Sequence, residues 1–234
     1  MKAYYKSHVG LVREQNEDTV LVDDQHGIFI LADGMGGHQA GEVASLLAAT
    51  TLRDTLADLA PSAVGMQQGF RAANAAVYQR SLEESGLNGM GTTMTALWNH
   101  DDHILLGHVG DSRAYLYRAG RLRQISEDHS FVGDLLRAGA ITEEEAFRHP
   151  RRNVITRAVG TDETVRTDVT EVLKAPGEKW LLCSDGLTDL VRDPEIADTL
   201  GSLNGQAAVD HLVELALLNG GRDNVSVLLL EVDA

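Results

Sequence analysis

Four aspartates stand where apolar runs meet turns, and their positions give the first indication of chemistry. Asp33, Asp111 and Asp185 each follow an apolar run, whereas Asp223 precedes one. A single Asp–Gly pair is ordinary turn chemistry. Strand ends of packed sheets converge on one rim, however, and carboxylates gathered there repel one another unless a cation joins them. Oxygen ligands without a nearby cysteine or histidine pair favour Mg²⁺ or Mn²⁺ over zinc. The pattern therefore predicts a divalent-metal site, to which the backbone carbonyl of Gly34 would add an oxygen.

Two further residues could act beside such a site. Arg13 precedes the carboxylates of Glu17 and Asp18, and a guanidinium at the same rim would bind a phosphate through paired hydrogen bonds. His38 ends a glycine-rich run that starts at Asp33 and matches neither a Walker loop nor the dinucleotide fingerprint. A histidine on such a loop beside a metal-binding aspartate is a candidate for proton transfer.

The elements that must position these residues follow from the hydrophobic pattern. Short apolar runs predict strands over residues 19–22, 28–32, 93–98, 104–109, 114–117, 180–184 and 225–232. Apolar spacing near 3.6 predicts helices over 41–59, 62–82 and 206–218, and Asp193 followed by Pro194 predicts an N-cap and first helical position. Helices do not separate the strands one by one, as a doubly wound parallel sheet requires. We therefore expect antiparallel sheets with helices packed on them.

Composition narrows the classes of partner. The sequence carries 20 Lys and Arg against 35 Asp and Glu, a formal net charge of −15, and such a surface repels nucleic acid. The single cysteine, Cys183, excludes an internal disulfide and fits a reducing compartment. No apolar run reaches the roughly 20 residues of a membrane span, and the first residues lack a signal-peptide core. We expect a cytoplasmic protein that does not bind a membrane.

The chain has no stretch typical of a linker, a repeat or low complexity. We therefore expect a single domain over residues 1–234. Residues 130–152 interrupt the strands with a polar insertion, in which Thr142 and the three glutamates after it predict a helix start. An insertion of this size is typical of a functional flap or of a mobile loop.

A series of short motifs occurs in one order along the chain. They are Ser7-x-x-Gly10-x-x-Arg13-x-x-Asn16-Glu17-Asp18, Ala32-Asp33-Gly34-Met35-Gly36-Gly37-His38, Gly91-Thr92-Thr93, Val109-Gly110-Asp111-Ser112-Arg113, Asp128-His129-Ser130, Ser184-Asp185-Gly186-Leu187 and Asp223-Asn224. Each alone is weak. Together they resemble the metal-dependent protein Ser/Thr phosphatases of the PPM (PP2C-type) family in its compact bacterial form, over residues 7 to 230.

The resemblance implies an α+β fold, a four-layer αββα sandwich of two antiparallel sheets flanked by helix pairs. It also implies two tightly bound Mn²⁺ or Mg²⁺ ions in a cleft at one rim. By similarity, Asp33 bridges both ions and the Gly34 carbonyl binds one of them. Asp185 and Asp223 hold the other, and Asp18 acts through water.

The same resemblance assigns the remaining site residues. Asp111, together with Asp185, resembles the pair that holds a weaker third ion in bacterial members. Arg13 corresponds to the phosphate-binding arginine and His38 to the proposed general acid, while the insertion takes the place of a variable flap. The implied reaction is hydrolysis of phosphoserine and phosphothreonine in proteins by a metal-activated water, without a covalent phospho-enzyme.

The resemblance implies phosphorylated proteins as substrates and a cognate bacterial Ser/Thr kinase as the opposing enzyme, and we expect a monomer. Two alternatives remain open. A phosphatase dedicated to one regulatory phosphoprotein, such as an anti-sigma-factor antagonist or a secretion regulator, would carry the same catalytic residues. A non-catalytic module that binds phosphoproteins is disfavoured by the complete set of motifs, and a turnover assay with Mn²⁺ distinguishes it.

Leaving-group chemistry tests the role of His38. A serine alkoxide leaves poorly without a proton, whereas p-nitrophenolate leaves readily. His38→Gln should therefore slow phosphopeptide hydrolysis by about 10²–10⁴-fold and slow p-nitrophenyl phosphate hydrolysis much less. Arg13→Ala serves as the comparison, because it should weaken both reactions. Equal losses of kcat on the two substrates for His38→Gln would show that His38 is not the proton donor.

Overall fold

The structure is a computed structural model that describes residues 1–36 and 40–233. Two antiparallel sheets form its centre. The first sheet has the strand order β1 (Lys2–His8), β11 (Val225–Glu231), β10 (Lys179–Cys183), β7 (Arg113–Arg118) and β8 (Arg121–Gln124). The second has the order β2 (Asp18–Asp23), β3 (Ile28–Met35), β5 (Met94–His100), β6 (His103–Val109) and β9 (Asp168–Leu173), and the two-residue strand β4 (Gly91–Thr92) pairs with the end of β3.

Helices cover the outer face of each sheet. The long helices α1 (Ala40–Ala57) and α2 (Ala63–Glu83) pack on the second sheet. The first sheet is covered by α5 (Asp185–Thr188), α6 (Asp193–Ser202) and α7 (Gly205–Leu218). Two short helices, α3 (Phe131–Arg137) and α4 (Glu143–Phe147), lie within the insertion. Among the described residues, no helix is both long enough and apolar enough to cross a bilayer.

The side chains of β3 show why this architecture has three apolar layers. Ile28 and Ile30 point toward α1 and α2, whereas Phe29 and Leu31 belong to the layer between the two sheets. A strand buried on both faces must be apolar at every position, because successive side chains point to opposite faces. The predicted αββα sandwich is confirmed.

The hydrophobic pattern misses four strands: the two-residue strand β4 and three strands that lie at sheet edges. β1, β8 and β9 are the terminal strands in the order of their sheets, and their residues are only half-buried or exposed. Edge strands tolerate Lys, Arg, Glu and Thr on the solvent side, so they lack the continuous apolar run of a central strand.

Two local expectations are wrong in detail. Asp33 lies within β3 rather than beyond its end, because β4 pairs with Gly34 and Met35 and extends the strand. Helix α6 is capped by Arg192, so that Pro194 occupies its second position rather than its first. The helix start at Thr142 is confirmed, since Thr142 and Glu145 form a capping box before α4.

The layer between the sheets should carry much of the stability. Leu182 is fully buried there. Leu182→Ala should lower the free energy of unfolding by about 2–5 kcal/mol, because the lost contacts leave a cavity that the two sheets cannot close. Urea unfolding of the metal-free protein measures the loss. Leu218→Ala, at a residue 75% exposed, should change it by less than about 0.5 kcal/mol, and equal losses at both positions would contradict the layer assignment.

Candidate functional site

The pairing of β2 with β3 brings two of the predicted carboxylates together. Asp18 and Asp33 are directly opposite each other in the antiparallel register, which places their Cβ atoms about 4.5–5.5 Å apart. Thr93 fixes the backbone at Asp33: its Oγ1 accepts the Asp33 N–H at 3.1 Å, and its own N–H donates to the Asp33 carbonyl at 2.8 Å. Strand pairing therefore fixes the backbone that carries the Asp33 carboxylate.

One cleft of about 650 Å³ collects most of the predicted site. The predicted residues that line it are Arg13, Asp33, Gly34, Asp111, Asp185 and Asp223. Asp18 lies next to it, where its Oδ2 accepts a hydrogen bond of 3.0 Å from Ser184 Oγ. His38 lies outside the described residues.

Close backbone contact joins the elements that carry Asp185 and Asp223. A Cβ at Gly186 would lie 1.9 Å from the carbonyl oxygen of Asn224, so only glycine fits there. Similarly, a Cβ at Gly34 would lie 2.1 Å from the carbonyl oxygen of Gly41. These glycines allow the chain segments at the cleft to pack more tightly than any larger residue would permit.

Arg13 contacts one of the predicted metal ligands. Its Nη2 donates to Asp223 Oδ2 at 2.7 Å, and its side chain is about half exposed at the cleft. A guanidinium has five N–H donors in a planar fork, so this bond leaves donors for a phosphate. The Asp223 carboxylate therefore orients the guanidinium from one side.

Asn224 holds the loop that carries Arg13, although sequence reasoning assigned it no role. Its Nδ2 donates to the carbonyl oxygens of Val9 at 3.0 Å and Gln15 at 2.9 Å, and its Oδ1 accepts the Glu17 N–H at 2.8 Å. Both ends of the loop are thus bonded to one side chain. Its place directly after Asp223, before an apolar strand, was the available signal.

Two arginines also line the cleft without having been predicted. Arg157 bonds Asp168 at 3.0 Å, and Arg166 is largely exposed. Both bring positive charge to a cleft whose other charged groups are mostly carboxylates. Neither lies in one of the sequence motifs, so no pattern pointed to them.

The clustered carboxylates resist ionisation together. Burial and the neighbouring charges of Asp18 and Asp185 raise the pKa of Asp33 well above its usual range. Burial and the Asp111 carboxylate act in the same way on the pKa of Asp185. Burial raises the pKa of Asp18 to about 6, and burial followed by repulsion from Asp128 raises the pKa of Asp111 to about 7. A positive charge among these groups would remove the repulsion.

The donor set fits a hard divalent cation. In the described part of the chain, the Oδ1 atoms of Asp18 and Asp111 are buried and have no hydrogen-bond partner. The cleft-lining residues that the structure describes offer carboxylate and carbonyl oxygens and include neither cysteine nor histidine. Mg²⁺ and Mn²⁺ prefer such oxygen ligands. Cys183 is buried inside β10, where burial raises the pKa of its thiol to about 12, so it is no nucleophile.

The insertion contacts the elements next to Asp185. Arg152 bonds Asp189 at 3.2 Å, and the Arg192 guanidinium bonds Glu144 at 3.1 Å and lies 3.5 Å from the Phe147 ring centre. A second cavity of about 360 Å³ lies between the insertion and α5 and α6, and both Asp111 and Asp185 line it as well as the main cleft.

Comparisons with known proteins agree over nearly the whole chain. The model of the family described as Protein phosphatase 2C matches residues 7–216. The serine/threonine phosphatase stp of Listeria monocytogenes serotype 4b is 40% identical over a 243-residue alignment, which covers 100% of this chain and 96% of that protein.

Solved structures show the same fold. The crystal structure of the Mycobacterium tuberculosis serine/threonine phosphatase PstP/Ppp superposes with a TM-score of 0.93 at 40% identity, covering 100% of this chain and 99% of that one. The catalytic domain of PstP in complex with two manganese ions superposes with a TM-score of 0.90 at 39% identity, covering 100% and 98%.

Removing the Asn224 amide tests its hold on the Arg13 loop. Asn224→Ala leaves three backbone groups without their partner and should lower the free energy of unfolding by about 1–3 kcal/mol. Hydrogen exchange at the Glu17 amide should accelerate at the same time. The exposed Asn88 provides the control, since Asn88→Ala should alter neither quantity. Unchanged exchange at Glu17 in Asn224→Ala would contradict the assignment.

Proposed function

Because this chain belongs to the protein phosphatase 2C family, we propose that its cleft removes phosphate from phosphoserine and phosphothreonine in proteins by metal-dependent hydrolysis. The observation that carries this proposal is the cluster of buried carboxylates with raised pKa values, beside an exposed guanidinium, in one cleft. A phosphate monoester requires positive charge around it. Arg13 provides one positive group, and divalent ions held by the carboxylates would provide the others.

The metal ligands proposed for this chain are those that line the cleft. Asp33, the Gly34 carbonyl, Asp185 and Asp223 would hold two Mn²⁺ or Mg²⁺ ions, with Asp18 acting through water. Ions bound there would supply an activated water at neutral pH and would stabilise the negative charge of the phosphoryl oxygens. The relative with two manganese ions supports this choice of metal.

A third, weaker ion is proposed for Asp111 and Asp185. Both carboxylates line the main cleft and the second cavity, so they lie between two spaces open to a cation. The unpartnered Oδ1 of Asp111 points to the same use.

The protein groups orient the phosphate and the leaving oxygen. Arg13 binds phosphoryl oxygens with the N–H groups that Asp223 leaves available, and it is held in place by the loop that Asn224 fixes. Positioning of this kind lowers the entropic part of the barrier. His38 protonates the departing serine or threonine oxygen.

The insertion over residues 130–152 is proposed to contact the protein part of the substrate, as a flap within a single domain over residues 1–234. Its helices lie beside the second cavity, next to Asp185, and ion pairs from Arg152 and Glu144 connect it to the elements around α5 and α6. We propose that a cognate Ser/Thr kinase adds the phosphate groups that this protein removes, and that the protein acts as a monomer. A phosphatase dedicated to one regulatory phosphoprotein would use the same cleft.

Chelation tests the proposed reaction. EDTA should abolish phosphopeptide turnover and Mn²⁺ should restore it, and Mn²⁺ should also raise Tm because it binds the folded chain. Asp33→Asn should lose Mn²⁺-dependent turnover and most of the Tm increase. The control Asp58→Asn, at an exposed residue, should keep both.

Two results would contradict the proposal. Full turnover in excess EDTA would exclude metal-dependent hydrolysis. Phosphopeptide binding without any turnover in Mn²⁺ would instead indicate the non-catalytic module.

A further inference from the structure

A pair of histidines closes the hairpin between β5 and β6, away from the cleft. His100 ends β5 and His103 begins β6, with the two-residue turn Asp101–Asp102 between them. The two histidines are directly opposite in the register, so their side chains lie on the same face of the sheet. Asp111 follows the other end of β6. Six residue steps of strand from His103 to Val109, at about 3.3 Å each, separate the hairpin from the cleft by about 20 Å.

A carboxylate from the neighbouring edge strand completes the cluster. Glu171 on β9 pairs with Leu105, while His103 pairs with Leu173 two residues along, so Glu171 shares the face of both histidines. His100 Nε2 lies 3.6 Å from Glu171 Oε1. One nitrogen of each histidine and one Glu171 oxygen all lie within 4.8 Å of one another.

The turn orients the imidazole rings. Asp102 Oδ1 lies 2.7 Å from His103 Nδ1, and Asp101 Oδ2 lies 3.9 Å from His100 Nδ1. At His103 the Asp102 carboxylate is close enough to fix the proton on Nδ1 and leave Nε2 as the metal-binding nitrogen, which is the usual arrangement around histidine ligands. The rings stack with centroids 5.7 Å apart and planes at 17°, so the two Nε2 lone pairs lie in nearly parallel planes, and the partly exposed rings must rotate toward each other for both to bind one ion.

We propose that His100, His103 and Glu171 bind a Zn²⁺ ion, at a site separate from the oxygen-only centre of the cleft. Two imidazoles and one carboxylate are the donors that zinc takes when three protein ligands leave a fourth position open. Bonds of about 2.0–2.2 Å to a tetrahedral ion require donors about 3.4 Å apart, so donor atoms that lie within 4.8 Å of one another must approach by up to about 1.4 Å. Glu171 is half exposed and both histidines are partly exposed, which leaves their side chains free to close.

The three carboxylates around the two rings also suit a cation electrostatically. Asp101, Asp102 and Glu171 surround the two rings with negative charge. A bound Zn²⁺ would join β5, β6 and β9, the edge strand that pairs with β6. The site is therefore expected to stabilise this edge of the second sheet.

Counting bound zinc tests the proposal. Protein held in excess Mg²⁺ is dialysed against buffered free Zn²⁺, and the bound zinc is measured per chain. The wild type and His211→Gln, a control at an exposed histidine of α7, should bind one Zn²⁺ more than His103→Gln or His100→Gln. The same zinc count in all four proteins would overturn the proposal.

A measurement on the wild type keeps the test independent of variant folding. One equivalent of Zn²⁺ should shift the ring resonances of His100 and His103 in the Mg²⁺-loaded protein and leave those of His211 in place. Unshifted His100 and His103 resonances would refute the site. His103→Gln should retain Mn²⁺-dependent phosphatase turnover, so loss of the zinc site and failure of the proposed reaction give different results.

Discussion

Repulsion among buried carboxylates is the constraint on which the cleft depends. The antiparallel pairing of β2 and β3 sets Asp18 against Asp33, and the ends of β6 and β10 bring Asp111 and Asp185 to the same place. Burial and mutual repulsion raise the pKa values of these groups. Such a cluster is stable in its ionised form only with a positive charge inside it. The metal site that we propose for the cleft thus follows from the packing of two sheets.

The backbone around the cleft accepts this crowding because small residues and one amide side chain fix its geometry. Gly186 lets the turn after β10 lie against the start of β11, and Gly34 lets β3 lie against α1. Asn224 then bonds both ends of the Arg13 loop. The loop that carries the guanidinium is therefore held by the residue next to Asp223, so phosphate binding and metal binding share one support.

The parts that could be predicted from sequence are those that leave a local pattern. The central strands appear as continuous apolar runs, and Asp111 and Asp185 appear as acidic residues where such runs end. Edge strands such as β9 carry polar residues and leave no run. The hydrogen bonds from Asn224 to the Arg13 loop and the position of Arg157 depend on tertiary contacts between distant segments, which local periodicity does not encode. The cluster of His100, His103 and Glu171 likewise exists only through the register of β6 with β9.

Anomalous diffraction at the manganese edge, from crystals grown with Mn²⁺, tests the central claim most directly. The claim is that the buried carboxylates of the cleft hold divalent cations. We predict two strong anomalous peaks within coordination distance, about 2–2.6 Å, of oxygen atoms of Asp33, Asp185 and Asp223. Crystals of Mn²⁺-activated protein without an anomalous peak at these carboxylates would contradict the account.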